Sequence, residues 1–130
     1  MKVAGHRLST AEVENAITQH PAVVECAVVA APHDIKGEVP VAFVTLKPGY
    51  KASGELENEL KQQVVKVIGP TARPDRIIIV DDLPKTRSGK IMRRILKALT
   101  RNQPIGDVTT LMNPESVQAL KEKVGYKESP

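Results

Sequence analysis

Apolar positions along the chain alternate between the spacing typical of helices and the continuous runs typical of strands. Continuous β-branched runs predict three buried strands, over 23–31, 41–46 and 76–80. Apolar residues at helical spacing predict four helices, at about 9–19, after Ser53, from near Lys90 and at about 115–123. The pattern therefore predicts a domain in which helices and strands are mixed.

Capping residues mark the ends of these elements. Ser9 and Glu12 form a capping box for the first helix, and Ser53 is placed to cap the second, which Gly69-Pro70 ends. We expect Ser88 to cap the third helix. The order of elements favours an α+β class, a small and mostly antiparallel sheet packed by helices, in which the first two long strands pair.

The length predicts a single domain. At 130 residues the chain is long enough to bury its own core, and we expect this domain to span 1–113, followed by a C-terminal helix and frayed tail over 114–130. Aromatic residues are only 2%, so the core must be aliphatic. The single cysteine, Cys26, lies in an apolar strand run, which favours a buried and unreactive thiol.

The net charge and the length of the apolar runs limit the kinds of partner that the sequence predicts. A net charge of +4 suggests an anionic partner, and no apolar run approaches the length of a membrane span, so we expect a cytoplasmic protein with no membrane contact. The three histidines, His6, His20 and His33, lie in separate loops without ligand spacing, which predicts no metal site.

The strongest candidate for chemistry is Lys90. Seven Lys or Arg and no acid fall between Lys85 and Arg101, and Lys90 follows a flexible Ser-Gly pair. A positioned ammonium could stabilise the charge that gathers on phosphate oxygens in nucleotidyl transfer. The alternative is a solvated basic helix face. A phosphate-binding loop is excluded, because Pro84 replaces the first glycine of that motif and Ile91 its Ser or Thr.

A second and weaker candidate is the segment Gly5-His6-Arg7. Gly5 could permit the close approach of a ligand, and Arg7 could meet a phosphate. The alternative is that Gly5 serves a turn and Arg7 is a surface cation.

These segments resemble those of a known superfamily. Residues 84–94, Pro-Lys-Thr-Arg-Ser-Gly-Lys-Ile-Met-Arg-Arg, resemble the C-terminal lysine motif of adenylate-forming enzymes, in the form that acetyl-CoA and propionyl-CoA synthetases carry. Residues 5–14 resemble the segment that follows the hinge of these enzymes. Residues 32–37 and 106–111 fit the same group, so the resemblance covers nearly the whole chain.

The resemblance implies the C-terminal lid domain of a two-step ligase. Lys90 would contact the carboxylate and α-phosphate of ATP during adenylation. After the domain rotates, Gly5 would line the pantetheine path of CoA, with His6 beside it, and Arg7 would approach the nucleotide phosphate. The arginine that meets the CoA 3′-phosphate in related synthetases falls on Val65, so Lys66 is only a possible substitute.

The resemblance also implies partners. ATP and CoA would be substrates, Mg²⁺ would accompany ATP in a large N-terminal adenylation domain, and the chain alone should be inactive. An accessible Lys90 could be acetylated and restored by a lysine acetyltransferase and a deacetylase. The open alternatives are a ligase for another acid, propionate above all, and a non-enzymatic basic module for anions or nucleic acid, against which the shortage of aromatics counts.

Overall fold

The computed structural model describes residues 2–3, 6–7, 10–33, 35, 37–106 and 108–126. Within these ranges the five strands are β1 (Lys2–Val3), β2 (His6–Arg7), β3 (Val23–His33), β4 (Gly37–Leu46) and β5 (Arg76–Ile79). The four helices are α1 (Thr10–Thr18), α2 (Gly54–Val67), α3 (Arg93–Thr100) and α4 (Glu115–Val124). A short 3-10 turn, Pro70–Ala72, follows α2.

The main sheet has three strands in the order β3-β4-β5. Strands β3 and β4 pair antiparallel, with Val28 opposite Ala42, while β5 pairs parallel to β4, with Phe43 opposite Ile78. A parallel pairing needs a crossover connection, and α2 supplies it. Strands β1 and β2 form a separate antiparallel pair. The predicted α+β class with a mostly antiparallel sheet is confirmed.

Alternate residues of the strands face opposite sides of the sheet and build two cores. Helices α1 and α2 cover one side, which holds the core residues Val13, Ile17, Cys26, Val28, Ala42, Val44, Leu60 and Val64. Helices α3 and α4 cover the other side, which holds Ala27, Val29, Val41, Phe43, Ile95, Leu96, Leu99, Val117 and Leu120. Apart from Phe43 and Cys26, the buried hydrophobic residues of the cores are aliphatic, as the composition requires.

Helix boundaries agree with the sequence in one place and differ in another. The Ser53 hydroxyl accepts the N–H of Leu56 at 3.1 Å, so the predicted cap of α2 is confirmed. The predicted cap of α3 by Ser88 is wrong, because α3 begins at Arg93 and the Ser88 hydroxyl bonds to that of Thr86 instead. The predicted capping box at Ser9 lies outside the described residues.

The β3 edge of the sheet is partly occupied by charged side chains. Strand β3 has no neighbouring strand on the side away from β4 among the described residues. There the Val28 N–H donates to Glu14 at 2.8 Å, and the Ala30 carbonyl accepts from Arg101 at 3.1 Å. Two of the backbone groups on this edge thus have charged partners, one from α1 and one from the end of α3.

Helix α4 packs into the same core as α3. Leu120 is fully buried and Val117 nearly so, both in contact with the cluster around Phe43 and Leu96. The division of the chain after residue 113 remains a prediction, but these contacts favour a folded unit that includes α4.

Candidate functional site

Residues 84–92, which we call the Lys90 turn, form a tight hydrogen-bonded hairpin. The N–H of Thr86 donates to the Lys90 carbonyl at 2.9 Å, and the N–H of Met92 donates to the Pro84 carbonyl at 2.8 Å. Lys85 and Ile91 face each other across it as an antiparallel bridge. The sequence suggested a flexible loop, but the backbone here is held by ladder bonds like those of a short sheet.

The tip of the turn depends on Gly89. Its φ of +89° lies in a region that residues with a Cβ rarely adopt. The Thr86 hydroxyl then accepts the Lys90 N–H at 3.2 Å, and the Gly89 N–H donates to the Thr86 carbonyl at 2.9 Å. The Lys90 side chain is exposed at this tip, and among the described residues its ammonium has no ion-pair partner.

The base of the turn is anchored to the rest of the domain. The Lys85 ammonium contacts Glu25 of β3 at 2.6 Å, and Thr86 forms an antiparallel bridge with Leu111. Asn113 accepts the Lys85 N–H at 2.9 Å. Sequence reasoning missed Glu25 and Asn113, because both lie far from Lys90 along the chain and neither falls within the lysine motif.

Three of the seven cations in the run from Lys85 to Arg101 are ion-paired within the described part of the chain. Lys85 pairs with Glu25, Arg93 with Glu14 and Arg101 with Glu38, while Arg94 donates to the Ile105 carbonyl. The exposed cations that pair with none of the described residues are Arg87, Lys90 and Lys97. The run is therefore not a continuous free cationic face, which weighs against the nucleic-acid alternative.

The second candidate segment is described only in part. His6 and Arg7 form strand β2, paired with β1, whereas Gly5 lies outside the described residues. The sequence predicted no regular element here. The segment leads directly into α1, whose Glu14 contacts Arg93 of α3.

Lys66 lies on the other side of the sheet from the Lys90 turn. It is exposed in the last turn of α2, and it lines a shallow groove with His20, Glu59 and Gln63. In this groove His20 Nδ1 accepts the Ala22 N–H at 3.1 Å, and His20 Nε2 lies 3.2 Å from Glu59. The fold therefore does not bring Lys66 and Lys90 together.

The one cysteine, Cys26, lies in the core. Burial raises the pKa of the Cys26 thiol, the nearby Glu14 carboxylate raises it further, and Arg93 partly offsets this. Cys26 is thus buried, as predicted.

The described residues contain no cluster of His, Cys, Asp or Glu suited to a metal ion. No described helix combines the length and apolar character needed to cross a bilayer.

The hydrogen-bonded lysine turn and the small α+β domain that carries it together define a recognisable class of protein domain. The model of the AMP-binding enzyme C-terminal domain matches residues 12–90, and the chain belongs to this family. Curated relatives that it matches include acetyl-coenzyme A synthetases. That of Pyrobaculum aerophilum is 58% identical over 128 residues, and that of Bdellovibrio bacteriovorus is 57% identical over 122. These alignments cover 98% and 92% of this chain but only 19% of each relative.

Solved structures agree with this assignment. An acyl-CoA synthetase from Brucella canis superposes with a TM-score of 0.70 at 43% identity, over 73% of this chain and 18% of that one. An anthranilate–CoA ligase in complex with anthranoyl-AMP gives a TM-score of 0.71 at 38% identity, over 78% of this chain and 20% of that one. The chain thus spans about a fifth of the length of the proteins it matches.

Proposed function

We propose that the chain is the mobile C-terminal domain of an ATP-dependent short-chain acyl-CoA synthetase that converts acetate, ATP and CoA into acetyl-CoA, AMP and diphosphate. The observation that carries the proposal is an exposed Lys90, ion-paired to none of the described residues, on a braced turn. Relatives more than 50% identical over almost the whole chain are acetyl-coenzyme A synthetases, which supports the choice of acetate.

Lys90 serves the first half-reaction. An acetate oxygen attacks the α-phosphorus of ATP, the bond to the bridging oxygen breaks, and diphosphate leaves with its electron pair. Negative charge is spread over the phosphate oxygens in the transition state, and an ammonium held beside them stabilises it. A rigid turn suits this role, because the charge must be in place before the reaction begins.

The segment Gly5-His6-Arg7 serves the second half-reaction. The CoA thiol attacks the acyl carbonyl, its proton is released, and AMP departs as the C–O bond breaks. In this proposal Gly5 lines the pantetheine path, His6 lies beside it and Arg7 approaches the nucleotide phosphate. Lys66 is a weaker candidate for the CoA 3′-phosphate, since it stands one position beyond Val65, where related synthetases carry the arginine.

The remaining parts of the proposal lie outside this chain. A large N-terminal adenylation domain would hold ATP, with Mg²⁺, and the acid, so the chain alone should not turn over. Since ATP and CoA are cytoplasmic substrates, we propose a cytoplasmic location. Acetylation of Lys90 by an acetyltransferase would remove its charge and mimic loss of the lysine, and a deacetylase would restore it.

The test compares two lysines in the intact enzyme. Lys90→Ala should slow acetate-dependent ATP–diphosphate exchange by a hundred- to a thousandfold, about 3–4 kcal/mol. Thioester formation from supplied acetyl-adenylate should be almost unchanged. Lys97 is also exposed, but on α3, so Lys97→Ala is the matched control. Equal behaviour of the two variants in both half-reactions would refute a special role for Lys90.

Propionate is the alternative acid. The pocket that selects the acid belongs to the proposed N-terminal domain, so the exchange assay should be run with both acids. A higher kcat/KM with propionate would reassign the substrate without changing the role of Lys90.

A further inference from the structure

Asn113 connects the Lys90 turn to the C-terminal part of the domain. Its side-chain oxygen accepts the Lys85 N–H at 2.9 Å, and its side-chain nitrogen donates to the Leu83 carbonyl at 2.7 Å. The same nitrogen donates to an Asp82 carboxylate oxygen at 2.6 Å. Asn113 is 5% exposed. One buried amide thus binds Asp82, Leu83 and Lys85, the last of which lies at the base of the turn.

The bonds of Asn113 require an amide. Its oxygen faces an N–H donor, and both hydrogens of its nitrogen face oxygen acceptors. An aspartate would keep the first bond, but it would set a carboxylate against a carbonyl and a second carboxylate. The chemistry of the site therefore distinguishes asparagine from its closest relative in shape.

A short path of hydrogen bonds and one peptide link leads from Asn113 to Lys90. The Lys85 N–H binds Asn113 and the Lys85 carbonyl accepts the N–H of Met112 at 2.8 Å, so both backbone groups of Lys85 are held by this segment. The next residue, Thr86, exchanges bonds with Lys90 through both its N–H and its hydroxyl. Only two residues, Lys85 and Thr86, thus connect the Lys90 backbone to Asn113.

We propose that Asn113 is a positioning residue for Lys90, holding the turn so that the ammonium is presented in one geometry during adenylation. This inference rests on the proposed role of Lys90. Displacement of a catalytic group by about 1 Å can lower a rate about a hundredfold, and a loosened turn samples the productive position only part of the time. We therefore expect loss of Asn113 to lower adenylation about tenfold or more.

If Asn113 served only to stabilise the start of α4, removal of another bond there should lower adenylation equally. The Asn113 carbonyl also accepts the Ser116 hydroxyl at 2.8 Å, a bond that belongs to the start of α4 and not to the turn. Ser116→Ala removes this bond and leaves those to residues 82, 83 and 85 intact, so it is a matched control for general loosening near α4.

The first experiment measures both half-reactions in the intact enzyme. Asn113→Ala should lower kcat of ATP–diphosphate exchange about tenfold or more, with KM for ATP and thioester formation from acetyl-adenylate nearly unchanged. Ser116→Ala should leave all three near the parent values. Equal losses in the two half-reactions, or equal losses in the two variants, would overturn the proposal.

The conservative variant Asn113→Asp adds a pH readout. The introduced carboxylate would lie against that of Asp82, and the repulsion raises the pKa of the introduced carboxyl group above its ordinary value. Below that pKa a proton restores one donor, so the adenylation rate of the variant, divided by that of the parent, should rise as the pH falls. A flat ratio would count against the proposed bonds.

A second experiment separates this proposal from the role of Lys90. Hydrogen exchange over residues 85–92 of the intact enzyme reports the turn itself, whatever Lys90 does. Asn113→Ala should speed exchange there and Ser116→Ala should not. If Lys90→Ala slows adenylation but Asn113→Ala leaves exchange over 85–92 unchanged, positioning by Asn113 is wrong and the role of Lys90 stands. If Lys90→Ala has no effect, the proposed function fails first.

Discussion

Glu14 and Arg93 form a two-pronged ion pair that joins α1 to α3. Arg93 Nη2 lies 2.8 Å from one Glu14 oxygen, and Arg93 Nε lies 3.1 Å from the other, which also accepts the Val28 N–H. Helix α1 follows the Gly5-His6-Arg7 segment, and Arg93 stands three residues beyond Lys90. One carboxylate therefore joins the helix that follows the Gly5-His6-Arg7 segment in the chain to the helix that follows the Lys90 turn.

Loss of this carboxylate should destabilise the domain. Glu14→Ala leaves the Val28 N–H and the Arg93 guanidinium without their acceptor, which should lower the free energy of unfolding by about 1–3 kcal/mol. Glu14→Gln keeps an oxygen for Val28 and should cost less. Urea denaturation of this chain measures both. Glu12→Ala, at an exposed position of the same helix, should change stability by less than about 0.5 kcal/mol. Similar losses for Glu12→Ala and Glu14→Ala would contradict this account.

Helix α4 should be an integral part of the fold. Leu120 is fully buried against the α3 side of the sheet, so Leu120→Ala should lower the free energy of unfolding by about 2–5 kcal/mol. Gln118→Ala, on the exposed face of the same helix, is the control and should be nearly neutral. Thermal or urea unfolding measures both. A small effect of Leu120→Ala would instead support a domain that ends near residue 113.

Cys26 should make the free energy of unfolding fall as the pH rises into the alkaline range. Burial raises the pKa of its thiol in the folded state, so above the ordinary thiol pKa of about 8.5 only the unfolded chain loses the proton. The contribution of the protonated thiol to the free energy of unfolding is therefore complete below that pH. Above it, the free energy of unfolding falls by up to about 1.4 kcal/mol per pH unit. Cys26→Ala lacks this contribution, so its stability should fall less steeply between pH 9 and 10.5. Parallel curves for the two proteins would contradict a buried, protonated thiol.

Gly5 should matter to one half-reaction only. In the intact enzyme, Gly5→Leu should block the proposed pantetheine path and abolish thioester formation while exchange of ATP with diphosphate survives. Gly54→Leu provides a control at a glycine whose added Cβ would meet open space. Equal losses in the two half-reactions for Gly5→Leu would refute the assignment of separate faces to separate steps.

Periodicity predicted the main elements because it reports local burial. The strands around Val28 and Val44 and the stripe through Leu60 were all visible in single segments of sequence. Pairings between distant residues were not, since no local pattern encodes them. Glu14 and Arg93 are separated by 79 positions, and Lys85 and Asn113 by 28. The start of α3 differs from the prediction for a local reason, because hydrogen bonds within the Lys90 turn, including that of the Ser88 hydroxyl to Thr86, compete with a serine cap.

The partly occupied edge of β3 bears on self-association. An eleven-residue outer strand with free backbone groups is a template on which a second chain can add a strand, the first step towards aggregates. Glu14 and Arg101 occupy two of those groups and place charge along the edge. A domain proposed to swing between two positions exposes its surfaces repeatedly, and the charges of Glu14 and Arg101 along this edge disfavour the addition of a strand from a second chain.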